Sequence, residues 1–150
     1  MTKTKWVWMA VLVGCFAPTA ALGQTDQDRA GVERAALDYL EGFYEGDAAK
    51  IRSGVHPDVV KFGFFPSQSG DGYASEPMSF DQMIEFVNGV KERGNFAPED
   101  APKEVILLEV TDQIAAVKVV AWWGHDYLHL ARYDGAWKVI HVIWQSAPSG

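Results

Sequence analysis

Only one cysteine, Cys15, occurs in the 150 residues. It sits in an N-terminal apolar stretch, so the rest of the chain has no disulfide, no thiol nucleophile and no thiolate metal ligand. Basic residues are scarce as well: 13 Lys and Arg against 20 Asp and Glu give a formal net charge of −7. A chain that acidic is a poor partner for nucleic acid or for an anionic membrane surface. The four histidines are scattered and give no case for a metal site. There is no internal repeat and no low-complexity tract. "GDG" at Gly70 to Gly72 has no lysine after it and reads as loop chemistry, not as a phosphate cradle. No cofactor is implied.

What is present begins with Lys3 and Lys5 ahead of "WVWMAVLVGCFA", then Pro18 and "TAALG". A positive start, a short apolar run and a small-x-small exit describe a secretory signal peptide over residues 1–23. Cleavage after Gly23 leaves a single domain, 24–150, that is periplasmic or secreted. A second reading uses the same letters: "LVGC" resembles a bacterial lipobox, which would place a lipid on Cys15 and tie the domain to a membrane. Without that lipid no membrane contact is expected.

In the mature chain, Val32, Ala36, Leu37, Leu40, Phe43 and Tyr44 form a helical apolar stripe between Asp26 and Tyr44. Gly46 ends that helix, and Asp47 caps a short second one through "AAKIRSGV". "HPDVVKFGFF" is extended, since Pro57 holds His56 out of the helical region. Residues 66–77, "PSQSGDGYASEP", read as a loop. Ser79 is the N-cap of a third helix carrying Phe80, Met83, Ile84 and Val87 on one face. The last third, "KEVILLEV", "IAAVKVVAWW", "DYLHLARY" and "AWKVIHVIWQ", is β. Helices first and an antiparallel meander afterwards predict an α+β fold, with helices covering one face of a curved antiparallel sheet.

Asp134-Gly135 is a two-residue hairpin signal. With Tyr133 paired to Ala136, an unbroken register sets His129 opposite Ile140 and His141 opposite Leu128. The two imidazoles then project to opposite faces. One face carries Tyr127, His129 and Tyr133 with Val142 and Trp144. The other carries Leu128, Leu130 and Arg132 with Trp137, Val139, His141 and Ile143, and Arg132 across from Trp137 suggests a cation–π contact.

Two blocks bear a family likeness: "YLEGFYEGDAAKIRSGVHPDVVKFGFF…PMSFDQMIEFV" and "DYLHLARYDGAWKVIHVIWQ". The pieces are Tyr39, Gly42, Gly46 and Asp47 at the first helix end, "HPD" at His56 to Asp58, "MS" before the third helix, and the terminal "DGAWKVIHVIWQ". Together they resemble the nuclear transport factor 2-like superfamily, and within it the small bacterial proteins labelled putative lumazine-binding, over about Arg29 to Gln145. The resemblance implies a cone: three N-terminal helices on a strongly curved antiparallel sheet, enclosing a pocket, often dimerising through the sheet's outer face.

The superfamily includes isomerases, dehydratases and polyketide cyclases that place a carboxylate or an Asp–His pair in the cone, so the fold does not select a chemistry. The corresponding candidates here are His56, Asp58, Tyr39, Tyr44, His129 and Asp126. Against a catalytic "HPD" stands a corner in which His56 caps and Asp58 accepts a turn hydrogen bond. The expected pocket lining is Tyr39, Tyr44, His56, Phe62, His129 and Trp144. Three readings follow. The first is an exported homodimer that binds a small hydrophobic or aromatic molecule. The second is an isomerase-, dehydratase- or cyclase-type enzyme using Asp58 or His129. The third is a structural or partner-binding dimeric domain. An enzyme requires Asp58 or His129 in an open cavity, a binder requires the cavity without that pair, and a structural domain requires Phe62, Phe64, Phe65 or Trp144 plugging it.

Overall fold

A computed structural model describes residues 20–147. The expected leader and Cys15 lie outside these residues, except that 20–23 form the first turn of α1 (Ala20–Glu45). On α1 the residues Val32, Ala36, Tyr39, Leu40 and Phe43 are buried, the stripe that 3.6-residue periodicity predicts. The helix stops at Gly46, whose φ of 63° suits glycine. The same glycine lets α1 approach the third helix, because a Cβ there would stand 2.7 Å from the Lys91 backbone nitrogen. Asp47 then caps α2 (Ala48–Gly54), accepting the Ala49 N–H at 2.8 Å. Gly42 leaves room for Ile51 of α2, so Gly42, Gly46 and Asp47 together shape one helix corner.

The third helix, α3 (Phe80–Arg93), has a full capping box between Ser79 and Gln82 and ends at Gly94 with φ 66°. Six strands complete the fold: β1 (Val55–Pro66), β2 (Tyr73–Pro77), β3 (Glu104–Val110), β4 (Ile114–Ala121), β5 (Gly124–Tyr133) and β6 (Ala136–Ser146). They form one sheet in the order β2-β1-β6-β5-β4-β3. Every pairing is antiparallel except β1 with β6, which runs parallel. Register shifts in the β1–β6, β3–β4 and β5–β6 pairs bend the strands. The helices cover one face, and α1 packs against β1, β3, β4 and β6.

Two departures from the sequence expectation are local. The segment read as a loop over 66–77 ends in strand β2, whose Tyr73 to Pro77 pair with Phe62 to Pro66. Its serines and prolines hide it from pattern reading, because an exposed edge strand needs no alternation. Trp122 and Trp123, expected as a strand end, form the turn between β4 and β5 instead.

The third departure changes a conclusion. The Asp134-Gly135 turn and its first four pairs are as expected, down to Leu130 opposite Val139. A bulge then inserts Ile140, and His129 lies opposite His141. One extra residue moves everything beyond it to the other face. Val142 and Trp144 therefore turn toward the helices, and His141 and Ile143 turn outward. The two imidazoles share the outer face, with ring centroids 5.1 Å apart and Nδ1 atoms at 3.2 Å. Arg132 does lie opposite Trp137, and both meet the buried Asp28 of α1. The guanidinium is 3.0 Å from its carboxylate, and the indole N–H donates to it at 3.3 Å.

Candidate functional site

The site forms where β1 and β6 run side by side beneath α1 and α3. On β1 the residues Val59, Lys61 and Gly63 face inward, while Val60 and Phe62 are exposed. This alternation carries a lysine, only 6% exposed, into the interior. Lys61 Nζ donates to the Tyr39 hydroxyl at 2.7 Å. Tyr39, fully buried on α1, donates in turn to Asp126 Oδ2 at 2.5 Å. The second oxygen of Asp126 accepts the Trp123 indole N–H at 2.7 Å. Ammonium, phenol, carboxylate and indole thus form one chain of charge-assisted hydrogen bonds.

Burial sets the titration of all three groups. Desolvation lowers Lys61 from the ordinary 10.5 to about 8, with the Asp126 charge pulling the other way. Desolvation raises the Asp126 carboxyl, opposed by Lys61, by the hydrogen bonds from Tyr39 and Trp123, and by His125. Tyr39 is pushed well above its ordinary 10 by desolvation and by Asp126. Asp126 and Lys61 balance one another in charge, which keeps the cluster tolerable inside an apolar core. The ammonium also lies 4.3 Å from the Phe43 ring centroid, 4.9 Å from Tyr39 and 5.9 Å from Trp144.

Above this cluster is a cavity of about 420 Å³. Phe43, Phe86, Met78, Trp123 and Trp144 give it apolar walls, and Trp122, 54% exposed, stands at its edge. Lys61 and Arg93 are the charged residues on the lining, and both are cationic. An acidic chain therefore encloses an aromatic cavity with a positive polar end.

The sequence candidates fall in different places. Trp144 lines the cavity, and Tyr39 lies behind its floor through Lys61. Tyr44 serves the frame: it donates to the Pro102 carbonyl at 2.5 Å and accepts the Trp122 N–H at 2.9 Å. Phe62 is on the outer sheet face. His56 stacks on Tyr133 at 4.3 Å and accepts the Asp58 N–H on Nδ1, while the Asp58 side chain is 93% exposed. His129 is paired with His141 on the outer face. His125 and His129 are four apart, a spacing that on a helix would serve one metal; on β5 it separates them by about 13 Å. Among the described residues no cluster of three His, Cys, Asp or Glu could hold a metal ion.

Sequence reasoning named Asp126 and Tyr39 but did not join them, and it missed Lys61, Trp123, Phe43 and Phe86. No local signal marked Lys61, because Val60, Phe62 and Phe64 offer the opposite parity with more apolar side chains than Val59, Lys61 and Gly63.

Three helices on one face of this open, bent sheet define a nuclear transport factor 2-like fold of the cystatin-like α+β kind. Solved structures agree. A nuclear transport factor 2-like protein with a cystatin-like fold from Novosphingobium aromaticivorans superposes with a TM-score of 0.62 at 14% identity, covering 91% of this chain and 94% of that one. A nuclear transport factor 2-like protein from Shewanella baltica gives 0.60 at 17% identity, covering 83% and 97%. One from Methylobacillus flagellatus gives 0.62 at 17%, covering 81% and 94%. No curated protein matches the chain. A family model described as "Putative lumazine-binding" matches residues 27–145, and the chain belongs to that family.

Proposed function

We propose that this protein binds a small, flat aromatic molecule carrying a carbonyl or acidic oxygen, seated between the tryptophans with that oxygen at Lys61. The observation behind the reading is the pairing of an open, aromatic-walled cavity with a cationic polar end. Such a cavity, mostly apolar with a few placed polar groups, is the usual form of a small-molecule site. The enzyme reading through Asp58 or His129 is less favoured, since neither lines the cavity. The plugged-domain reading is less favoured because Trp144 forms a wall and stacks on Phe65 at 6.5 Å, leaving the space open. The family's description points the same way, and lumazine itself is a flat bicyclic probe worth titrating.

The test is a fluorescence titration with anilinonaphthalene sulfonate, an aromatic anion, at several pH values. Affinity is expected to fall roughly tenfold as pH rises through about 8, where Lys61 sheds its charge, because a hydrogen bond to a charged group contributes about 1.5–3 kcal/mol. In Lys61→Met that pH step disappears. Equal affinity at pH 6.5 and 9.5 in the unsubstituted protein would remove Lys61 from the reading.

Export and dimerisation belong to the same proposal. The leader motif supports export. The outer sheet face, with Val60, Phe62, Tyr127 and Ile143 exposed around the histidine pair, supports a homodimer. Native mass spectrometry of the protein from its host's envelope is expected to give a dimer of chains beginning at Gln24. An acylated Cys15 would select the lipoprotein reading, and a monomer at all concentrations would refute the dimer.

A further inference from the structure

We propose that Lys61 is a covalent trap for carbonyl compounds: an amine that condenses with an aldehyde or ketone on an aromatic ligand to form an imine inside the cavity. The inference rests on the ligand-binding reading and deepens it by naming the reactive class.

Three features of the geometry carry it. First, the amine borders the cavity and is packed among the Phe43, Tyr39 and Trp144 rings, so water around it is restricted. Imine formation releases a water molecule, and a dry site favours the condensed product. Second, the surroundings favour the uncharged amine, which alone has the lone pair that attacks. Desolvation brings Lys61 to about 8, so about a tenth of it is free amine at pH 7 and about half at pH 8, against well under 1% for an ordinary lysine. Third, Nζ has a proton partner in place, the Tyr39 hydroxyl at 2.7 Å, itself bonded to Asp126.

The step balances without a co-reactant. The Lys61 nitrogen lone pair forms the C–N bond, and the carbonyl π pair moves to oxygen. The two protons of the neutral amine both end on that oxygen, which leaves as water, and the C=N bond remains. Tyr39 is a positioning residue: from behind the cavity floor its oxygen accepts one Lys61 N–H and holds Nζ at the cavity's edge. A ligand whose oxygen is a carboxylate would be held by the same amine but would not condense.

The experiment uses 6-methoxy-2-naphthaldehyde, a flat bicyclic aldehyde, with the full mature chain. Binding is first read by quenching of tryptophan fluorescence, because Trp122, Trp123 and Trp144 all line the cavity. Borohydride then reduces any imine to a stable secondary amine, supplying hydride to the carbon while solvent protonates nitrogen. Peptide mapping compares Lys61 with Lys91, Lys103 and Lys138. At pH 8 Lys61 has roughly a hundredfold larger free-amine fraction than an ordinary lysine, so its labelling is expected to be at least about tenfold faster. The rate should rise with pH to a midpoint near 8, and excess anilinonaphthalene sulfonate should suppress it. Quenching without preferential adduct at Lys61 would overturn the imine proposal and leave the binding reading intact. No quenching and no preferential adduct would overturn both. Lys61→Met is expected to lose the mapped adduct, and if that variant folds poorly the mapping within the unsubstituted chain still decides the matter.

Discussion

Replacing Asp126 with leucine is expected to lower the unfolding free energy by about 3–5 kcal/mol at pH 6, measured by urea denaturation. The carboxylate is fully buried and both its oxygens are engaged, by the Tyr39 hydroxyl and the Trp123 indole. Its removal leaves the buried Tyr39 hydroxyl and the half-buried Trp123 indole without their acceptor and a buried ammonium without its counter-charge. The effect should shrink with pH, and the sign follows from linkage. Lys61 titrates near 8 in the folded protein and at an ordinary 10.5 when unfolded, so between these values the unfolded chain binds more protons. This group therefore makes stability rise with pH across that window. Without Asp126 the folded amine gives up its proton still more readily, so at pH 9.5, where it is largely neutral in both variants, the difference attributable to the lost pair narrows. Lys61→Met combined with Asp126→Leu should recover much of the loss, since replacing both partners of a buried pair with apolar groups is often close to neutral. A double variant as unstable as Asp126→Leu alone would place the loss in the orphaned Tyr39 and Trp123 donors and not in the Lys61 charge, and a single-variant loss under about 1 kcal/mol would mean that the cluster contributes little.

The same cluster shows why the site was harder to read than the fold. Elements were legible because each carries its own local physics: the stripe of α1, the Asp47 and Ser79 caps, the Gly46 stop and the Asp134-Gly135 turn all act over a few residues. The site depends on which way strands face, and here the two sheet faces are both rich in apolar groups. Val60 and Phe62 alternate with Lys61 and Gly63, and hydrophobicity alone assigns the phenylalanine to the interior and the lysine to solvent. The outer apolar face inverts that choice. The bulge at Ile140 had the same effect on β6: nothing in "KVIHVIW" marks an extra residue, yet it carries Trp144 into the cavity and His141 out of it. The Tyr39–Asp126 bond spans 87 positions and joins a helix to a strand, so no spacing rule reaches it. Both residues were visible as candidates; their meeting was not.

Gly63→Val is expected to abolish binding of anilinonaphthalene sulfonate while costing only about 1–3 kcal/mol of stability, the usual range for overpacking. Gly63 faces inward on β1, directly beside Trp144 in the parallel pairing with β6. A side chain on Gly63 would overlap the Trp144 indole, which occupies the space that the missing Cβ leaves. The strand backbones hold both residues in register, so the indole is the part that must give. Phe65 stacks on one side of it, and the cavity is the open direction on the other. The displaced ring therefore fills the binding space and crowds Lys61, the amine it now flanks at 5.9 Å. Adding Trp144→Ala to Gly63→Val removes the overlap and should restore part of the binding. The pair separates a steric block from a general loss of structure: circular dichroism and urea midpoints report stability, and the fluorescence titration reports the cavity. Binding that survives Gly63→Val undiminished would show that the ligand sits elsewhere than between Trp144 and Lys61.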